Sequence, residues 1–413
     1  MELSFISYAG AGGGEPNLHE LRMGERRLLL DCGAGRKPPS QLKRLDRPDL
    51  AWISHAHGDH CGALLALKER FPDIPVYSTA RTATLLEETL APRGDQRQIR
   101  RVQALTKQIK RLPLNQFYQP PEAPELQLIA FDAGHVPGAA MLGIQYTSRG
   151  QTEHILYTGD FCTHDQRSLP GAGVPSLKPL KALIMESILG ADKEADQWQS
   201  ESAQKSFADE VLSHDGPCLI GVASLGEALE VAALLAPAKK IYLEEYLQPI
   251  LEPDSKHLEG RDHLIFQSRS ALQTRLDLGG IVIATGDQYQ RGSTAGLLAS
   301  PLLARHDALL ILLNRARKKT GSGLLKNTKA GRKITWYDRE VPLQARVSHH
   351  LLLNHAPRWQ LLAMAELSEP EHLILVHGDT GARFAIKRAL QKENFPGSIW
   401  VPRSGESLSI HGK

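Results

Sequence analysis

Cysteine is scarce. Cys32, Cys61, Cys162 and Cys218 are the four in 413 residues, and no pairing spacing links them. A disulfide-stapled fold is therefore excluded, and a reduced, cytoplasmic protein is expected. Aromatic residues make up 6%, too few for an evident row of base-stacking platforms of the kind that sequence-tolerant single-strand binders use. A large excess of one charge is also missing. Lys and Arg number 49 against 46 Asp and Glu, a net +3, so nucleic-acid binding is not legible in bulk charge. No apolar run approaches the roughly 20 residues of a membrane span; Ala308–Leu313, for example, is hemmed in by charge on both sides. Met1-Glu2-Leu3 lacks the basic start and long apolar stretch of a secretory signal, so no membrane association is expected. Neither a Walker A pattern nor a Gly-x-Ser-x-Gly elbow occurs. Gly10-Ala11-Gly12 leads through Glu15-Pro16-Asn17-Leu18 into a strand rather than a helix, so it is not read as a dinucleotide loop.

What remains is an ordinary globular composition, with 41% hydrophobic and 23% charged residues, long enough for two to three domains. Short apolar runs alternate with amphipathic ones. Leu50–Ser54, Val76–Ser78, Gln127–Phe131, Met141–Tyr146 and Ile155–Tyr157 read as strands, and Ala63–Arg70 and Thr82–Leu90 as helices. From about Gly190 the pattern becomes a βα alternation typical of a parallel, doubly wound unit. A strand–helix–strand arrangement then resumes and ends at His377. The expected class is α/β in layers.

Histidine is where chemistry shows. In Ser54-His55-Ala56-His57-Gly58-Asp59-His60, His55 and His57 sit two apart on extended backbone at a strand end, so both can turn to one metal. Asp59 and His60 open the next helix and can reach a second metal nearby. Imidazole and carboxylate are the ligands expected for zinc. Three later segments suit the same site, each beside glycine: Gly134-His135, the strand-ending Tyr157-Thr158-Gly159-Asp160, and Val376-His377-Gly378-Asp379. Asp160 is placed to bridge two metals.

With Asp31, His135 and Asp160, the segment His55–His60 resembles the metallo-β-lactamase superfamily. The long interruption before His377 resembles its β-CASP nuclease branch, which processes RNA and DNA. Glu186, His355 and His377 match that branch's three insert-specific motifs in order. The resemblance implies an αββα metallo-β-lactamase sandwich with an inserted β-CASP-like α/β domain. The core would comprise residues 1–187 and, on return, 346–413, with the insert over 188–345. It implies two zinc ions per chain, one held by His55, His57 and His135 and the other by Asp59, His60 and His377, with Asp160 bridging. Asp31 would stand behind these ligands and fix the histidine loop. His349 and His350 rival His355, which is preferred for its distance to His377 and the following Ala356.

The implied activity is hydrolysis of RNA by a hydroxide bridging the metals, leaving 5′-phosphate and 3′-hydroxyl ends. His355 would give a proton to the leaving oxygen, Glu186 would orient His355, and Asp59 would belong to the same catalytic set. DNA hydrolysis in repair is the main alternative. A small-molecule metallo-hydrolase and a non-catalytic subunit of a processing complex rank lower. Phosphate contacts need Lys and Arg. Arg315, Arg317, Lys318, Lys319, Lys326, Lys329, Arg332 and Lys333 form a run without an acid, and glycines at 321, 323 and 331 suggest a mobile loop there. The Ala284-Thr285-Gly286-Asp287-Gln288-Tyr289 stretch carries an aspartate where many members of the branch have a Gly-Ser-Gly-Met-like turn. Oligomeric state, including a homodimer, stays open.

Overall fold

In the computed structural model, residues 2–10, 16–35, 38, 40–91, 96–223, 225–248, 251, 254, 258–314 and 316–410 are described. Ala11 to Glu15 of the glycine segment and Arg315 of the basic run lie outside them. The chain forms two compact units. One comprises Met1–Asp165, Pro170–Asp196 and His355–Lys413, the other Gln166–Leu169 and Gln197–Asn354.

The first unit opens with β1 (Leu3–Ala9), β2 (Leu18–Met23), β3 (Arg26–Leu30), β4 (Leu50–Trp52), β5 (Val76–Thr79) and β6 (Lys110–Leu112). It continues with β7 (Leu126–Asp132), β8 (Ala140–Ser148), β9 (Gln151–Tyr157) and β10 (Leu180–Met185). The second unit carries β11 (Cys218–Val222), β12 (Ile241–Glu244), β13 (Leu264–Gln267), β14 (Ile281–Thr285), β15 (Leu309–Leu313), β16 (Lys333–Trp336), β17 (Arg339–Pro342) and β18 (Arg346–His350). The chain returns to the first unit for β19 (His372–Leu375), β20 (Ser398–Trp400) and β21 (Ser407–Ile410).

Two sheets make the first unit, in the orders β21-β1-β2-β3-β4-β5-β6 and β20-β19-β10-β9-β8-β7. Their facing sides share one core. Phe5, Leu21, Leu28 and Trp52 from one sheet meet Leu128, Leu142, Ile155 and Ile184 from the other. On the far side of the second sheet, Leu183, Met185 and Leu375 pack against Leu361 and Met364 of helix Arg358–Ser368 and Ile386 and Leu390 of helix Thr380–Lys392. A strand covered on both faces has no solvated side, which is why all six residues of β10 are buried and nearly all are apolar. Its one charge, Lys181, is satisfied by Glu371 at 2.5 Å.

This topology positions the site. β3 and β4 run parallel, as do β9, β10 and β19. Each sheet's parallel strands therefore end along one edge, the usual place for chemistry in α/β folds. Asp31, His55, Asp160, Glu186 and His377 all follow such strand ends within three residues.

In the second unit six parallel strands run in the order β13-β12-β14-β11-β15-β18. Side chains alternate between its two faces as period two requires. Cys218, Ile220, Ile281, Ile283, Leu309 and Ile311 pack with helices Ser200–Ser213 and Leu225–Leu235. Leu219, Val282, Leu310 and Leu312 pack with helices Arg269–Asp277 and Thr294–Leu302.

The sequence places the unit boundaries near 187/188 and 345/346; contacts place them at 196/197 and 354/355. Asp196 stays with the first unit through its ion pair to Arg358. Arg346–His350 stays with the second because β18 pairs along β15, from Leu309↔Arg346 to Leu313↔His350. The run after Arg315 is partly regular structure and not one continuous loop. Gly321–Asn327 is a helical turn whose N-cap, Thr320, accepts from the Gly323 N–H, and Lys333–Trp336 pairs with Arg339–Pro342. Two of the three glycines there answer to crowding: a Cβ on Gly323 would stand 2.1 Å from the Arg317 carbonyl oxygen, and one on Gly321 2.3 Å from that of Tyr289, whereas Gly331 lies in open space at φ +83°.

Candidate metal centre

His55 follows β4, His57 caps the next turn in extended backbone, and Gly58–Cys61 forms a single helical turn that presents Asp59 and His60. Two close approaches hold this segment. A Cβ on Gly33 would lie 1.8 Å from the Asp59 carbonyl oxygen, and Gly159, at φ +53°, abuts Ser54. Asp31 fastens it from behind. Its Oδ1 accepts from Ser54 N (2.7 Å), and its Oδ2 from Ser54 Oγ (2.8 Å), His60 Nδ1 (2.6 Å) and Tyr157 OH (2.5 Å). His60 is thereby left with Nε2 facing the cluster.

Three groups of donor atoms converge, each within 4.8 Å: His55, His57, His135 and Asp160; Asp59, His60 and His377; Asp160, Glu186 and His355. In the first, His57 Nδ1 stands 3.0 Å from His55 Nε2 and 3.2 Å from His135 Nε2. In the second, His60 Nε2 stands 3.4 Å from His377 Nε2. Bonds of about 2.0–2.1 Å to one zinc place tetrahedral nitrogens about 3.3–3.4 Å apart, so these spacings suit shared cations. Asp160 lies among both groups. Its Oδ2 is 3.3 Å from His60, 3.7 Å from His55 and 3.8 Å from His135, and its Oδ1 is 3.3 Å from His377. That Oδ1 is buried without a well-formed hydrogen bond, a costly arrangement unless a cation compensates it. Asp59 is the most open member, 46% exposed, with Oδ2 3.8 Å from His377 and 4.0 Å from His60. The donor set therefore fits metal binding.

Electrostatics divides the imidazoles. Burial pushes His57 down to about 4 and His55 well below its usual value, so both stay neutral with a lone pair to offer. Burial also acts on His60, but Asp160 and Asp31 outweigh it and raise its pKa. Burial opposes ionisation of Asp160, yet His377 and His60 hold it well below the carboxylate range. A dication would replace these proton-based balances with its own charge.

His355 stands at the margin, its ring centroid 4.4 Å from that of His135. Nδ1 faces Glu186 Oε1 at 3.2 Å and Asp160 Oδ2 at 3.9 Å. Glu186 also accepts from Phe161 N (2.9 Å) and Ile188 N (3.3 Å). Both its oxygens are occupied by backbone donors, which suits a carboxylate that orients a histidine better than a metal ligand. Burial lowers the His355 pKa, but Glu186 overcomes this and brings it up to about 9. The rivals lie elsewhere: on β18, His350 Nε2 bonds Glu210 at 2.7 Å and His349 Nε2 meets the Asn314 carbonyl.

All the expected site residues of the first unit thus gather at one strand edge. The basic run belongs to the second unit, where Arg317, Lys318, Lys319, Lys326, Lys329, Arg332 and Lys333 are exposed. Sequence reasoning missed Asn17, His19 and the part played by Tyr157. Asn17 Nδ2 lies 2.9 Å from both His60 Nε2 and His377 Nδ1. The local sign was an Asn just before, and a His on, a strand whose other positions are all apolar or charged.

The chain is similar to several known proteins. The chain is 26% identical over 409 residues to cleavage and polyadenylation specificity factor 73 of Drosophila melanogaster, covering 89% of this chain and 58% of that protein. It is 25% identical to the probable RNase MJ4 of Methanocaldococcus jannaschii, covering 95% and 96%, and 25% identical to integrator complex subunit 11 of Danio rerio, covering 94% and 71%. A crystal structure of a protein of unknown function from Enterococcus faecalis superposes with a TM-score of 0.63 over 99% of this chain and all of that one, at 14% identity, a likeness of fold alone. No described helix is long and apolar enough to cross a membrane. Residues 26–243, more than half of the chain, match the family described as beta-lactamase superfamily domain; the chain belongs to that superfamily, in its metallo-β-lactamase form and β-CASP branch.

Proposed function

We propose that the protein is a two-zinc phosphodiesterase that hydrolyses RNA and leaves 5′-phosphate and 3′-hydroxyl ends. The observation that carries this reading is Asp160, a buried carboxylate 3.3–3.8 Å from imidazoles of both donor groups. The names of the relatives, an RNase and a cleavage and polyadenylation factor among them, support RNA as substrate. His55, His57 and His135 would hold one ion, Asp59, His60 and His377 the other, and Asp160 both. When bound, two zinc ions acidify water to near neutrality and offset charge on a phosphodiester. The net reaction adds water across the P–O3′ bond. His355 supplies the proton that O3′ takes as it leaves, from Nε2, because Nδ1 is engaged by Glu186. Glu186 and Asp31 keep His355 and His60 in those orientations.

The full chain purified without chelator should contain about two zinc ions. It should cleave end-labelled RNA in preference to single-stranded and duplex DNA, and lose activity to a chelator. Absence of bound metal sinks the proposal, and equal or faster cleavage of DNA sinks its RNA part.

The exposed basic run is proposed as a backbone contact. Neutralising Lys318, Lys319, Lys326, Lys329, Arg332 and Lys333 together should weaken RNA binding more than it slows the chemical step. It should also flatten the dependence of log affinity on log salt by up to about 4 units, at about 0.7 per lost phosphate contact. An unchanged salt slope in a filter-binding titration would make the run a solvated surface.

A further inference from the structure

Asn17 is fully buried at the entry to β2 and borders every member of the Asp59–His60–His377 group. Its main chain accounts for part of this: Asn17 N donates to the Asp59 carbonyl at 2.7 Å, and Gly33 N donates to the Asn17 carbonyl at 2.8 Å. Its side-chain amide lies 2.9 Å from His60 Nε2 and 2.9 Å from His377 Nδ1. We propose that Asn17 is a positioning residue for the ion of that group, its amide oxygen accepting the Nδ1 proton of His377; this rests on the metal-binding reading above.

The assignment follows from the placement of protons. His377 turns Nε2 toward Asp160 Oδ1 at 3.3 Å and His60 Nε2 at 3.4 Å. Nε2 is therefore its metal-facing atom, and a neutral ring that ligates through Nε2 carries its proton on Nδ1. The two ends of an asparagine amide have the same shape, and their hydrogen-bond partners decide which is oxygen. With nitrogen toward His377, a donor would face a donor. With oxygen there, the NH2 turns to His19 Nε2, 3.3 Å from the amide's other end. His19 Nδ1–H then reaches Ser7 Oγ at 3.1 Å, and the Ser7 hydroxyl donates to the Ala9 carbonyl at 3.1 Å. Each link of this buried line then pairs one donor with one acceptor, and the line ends on the β1 backbone; the same amide oxygen faces the bare His60 Nε2 at 2.9 Å, a lone-pair contact that a cation held at that nitrogen would relieve. His377 is also held from its own backbone, its N–H donating to the Gly10 carbonyl at 3.0 Å. The ring is thus anchored at Nδ1 while Nε2 stays free for a cation.

The test is a zinc titration of the metal-stripped full chain against a competing chromophoric chelator, in wild type, Asn17→Ala and Asn17→Asp, with thermal unfolding recorded for each. Wild type should bind two ions. Asn17→Ala should bind one as wild type does and the other about 10- to 100-fold more weakly. Asn17→Asp, with oxygen at both ends, should hold both at least as tightly as wild type. Ring-nitrogen NMR of the zinc-loaded wild type should place the His377 proton on Nδ1, and this reading decides the matter if Asn17→Ala does not fold. Two ions of wild-type affinity in Asn17→Ala, an Asn17→Asp as weak as Asn17→Ala, or a proton on Nε2 would each overturn the role of Asn17 and leave the metal reading standing. A wild type that takes up no zinc would overturn both.

Discussion

Asp160→Ala should abolish hydrolysis and release metal. Asp160 is 2% exposed and stands among imidazoles from β4, the following helical turn, the β7–β8 turn and the end of β19. It is the one carboxylate within 4 Å of both histidine groups among the described residues. Without it the two cations would face each other across neutral rings, with only Asp59 to offset their charge. Metal stabilisation of transition-state charge contributes several kcal/mol, so the loss should be on the order of 10³-fold or more. Zinc content should fall below two per chain while the fold survives, because the sandwich core of Phe5, Trp52, Leu142 and Ile184 does not depend on this side chain. Wild-type turnover with full zinc content would remove Asp160 from the site.

His355→Ala and His377→Ala should look alike in an activity assay and differ in metal content. His355 has its Nδ1 on Glu186, so its removal should leave two zinc ions in place and slow the chemical step roughly 10²- to 10⁴-fold. His377 presents Nε2 to Asp160 and His60, so its loss should loosen one ion. A substrate whose bridging 3′ oxygen is replaced by sulfur separates the two further. The departing thiolate needs no proton, so it should partly rescue His355→Ala and do much less for His377→Ala. Loss of zinc from His355→Ala, or failure of the sulfur substrate to rescue it, would take the proton-donor role away from His355.

The ligand-rich segment from His55 to His60 was legible because four donors lie within six residues and the local backbone sets where they point. The strand-end positions of Asp31, Asp160 and His377 were legible for a related reason: a parallel strand delivers the residue after it to a known edge, whatever its neighbours. The choice among His349, His350 and His355 needed register. β18 pairs along β15 and carries His349 and His350 to partners in the second unit, whereas His355 lies five residues beyond that strand. Gly321 and Gly323 misled for the opposite reason. Sequence shows that a side chain is absent, and only the neighbours show whether the gap serves freedom or close packing, as Tyr289 and Arg317 do here.

Residue type and short spacing were enough to recognise the superfamily, the donor atoms and their order along the chain. The partners that orient each imidazole came from the three-dimensional arrangement alone. Asp31 and Tyr157 are 126 residues apart, and Asn17 and His377 are 360 apart. The hydrogen bonds between such pairs exist only once both sheets have closed on a common core, and no local pattern in the chain encodes them.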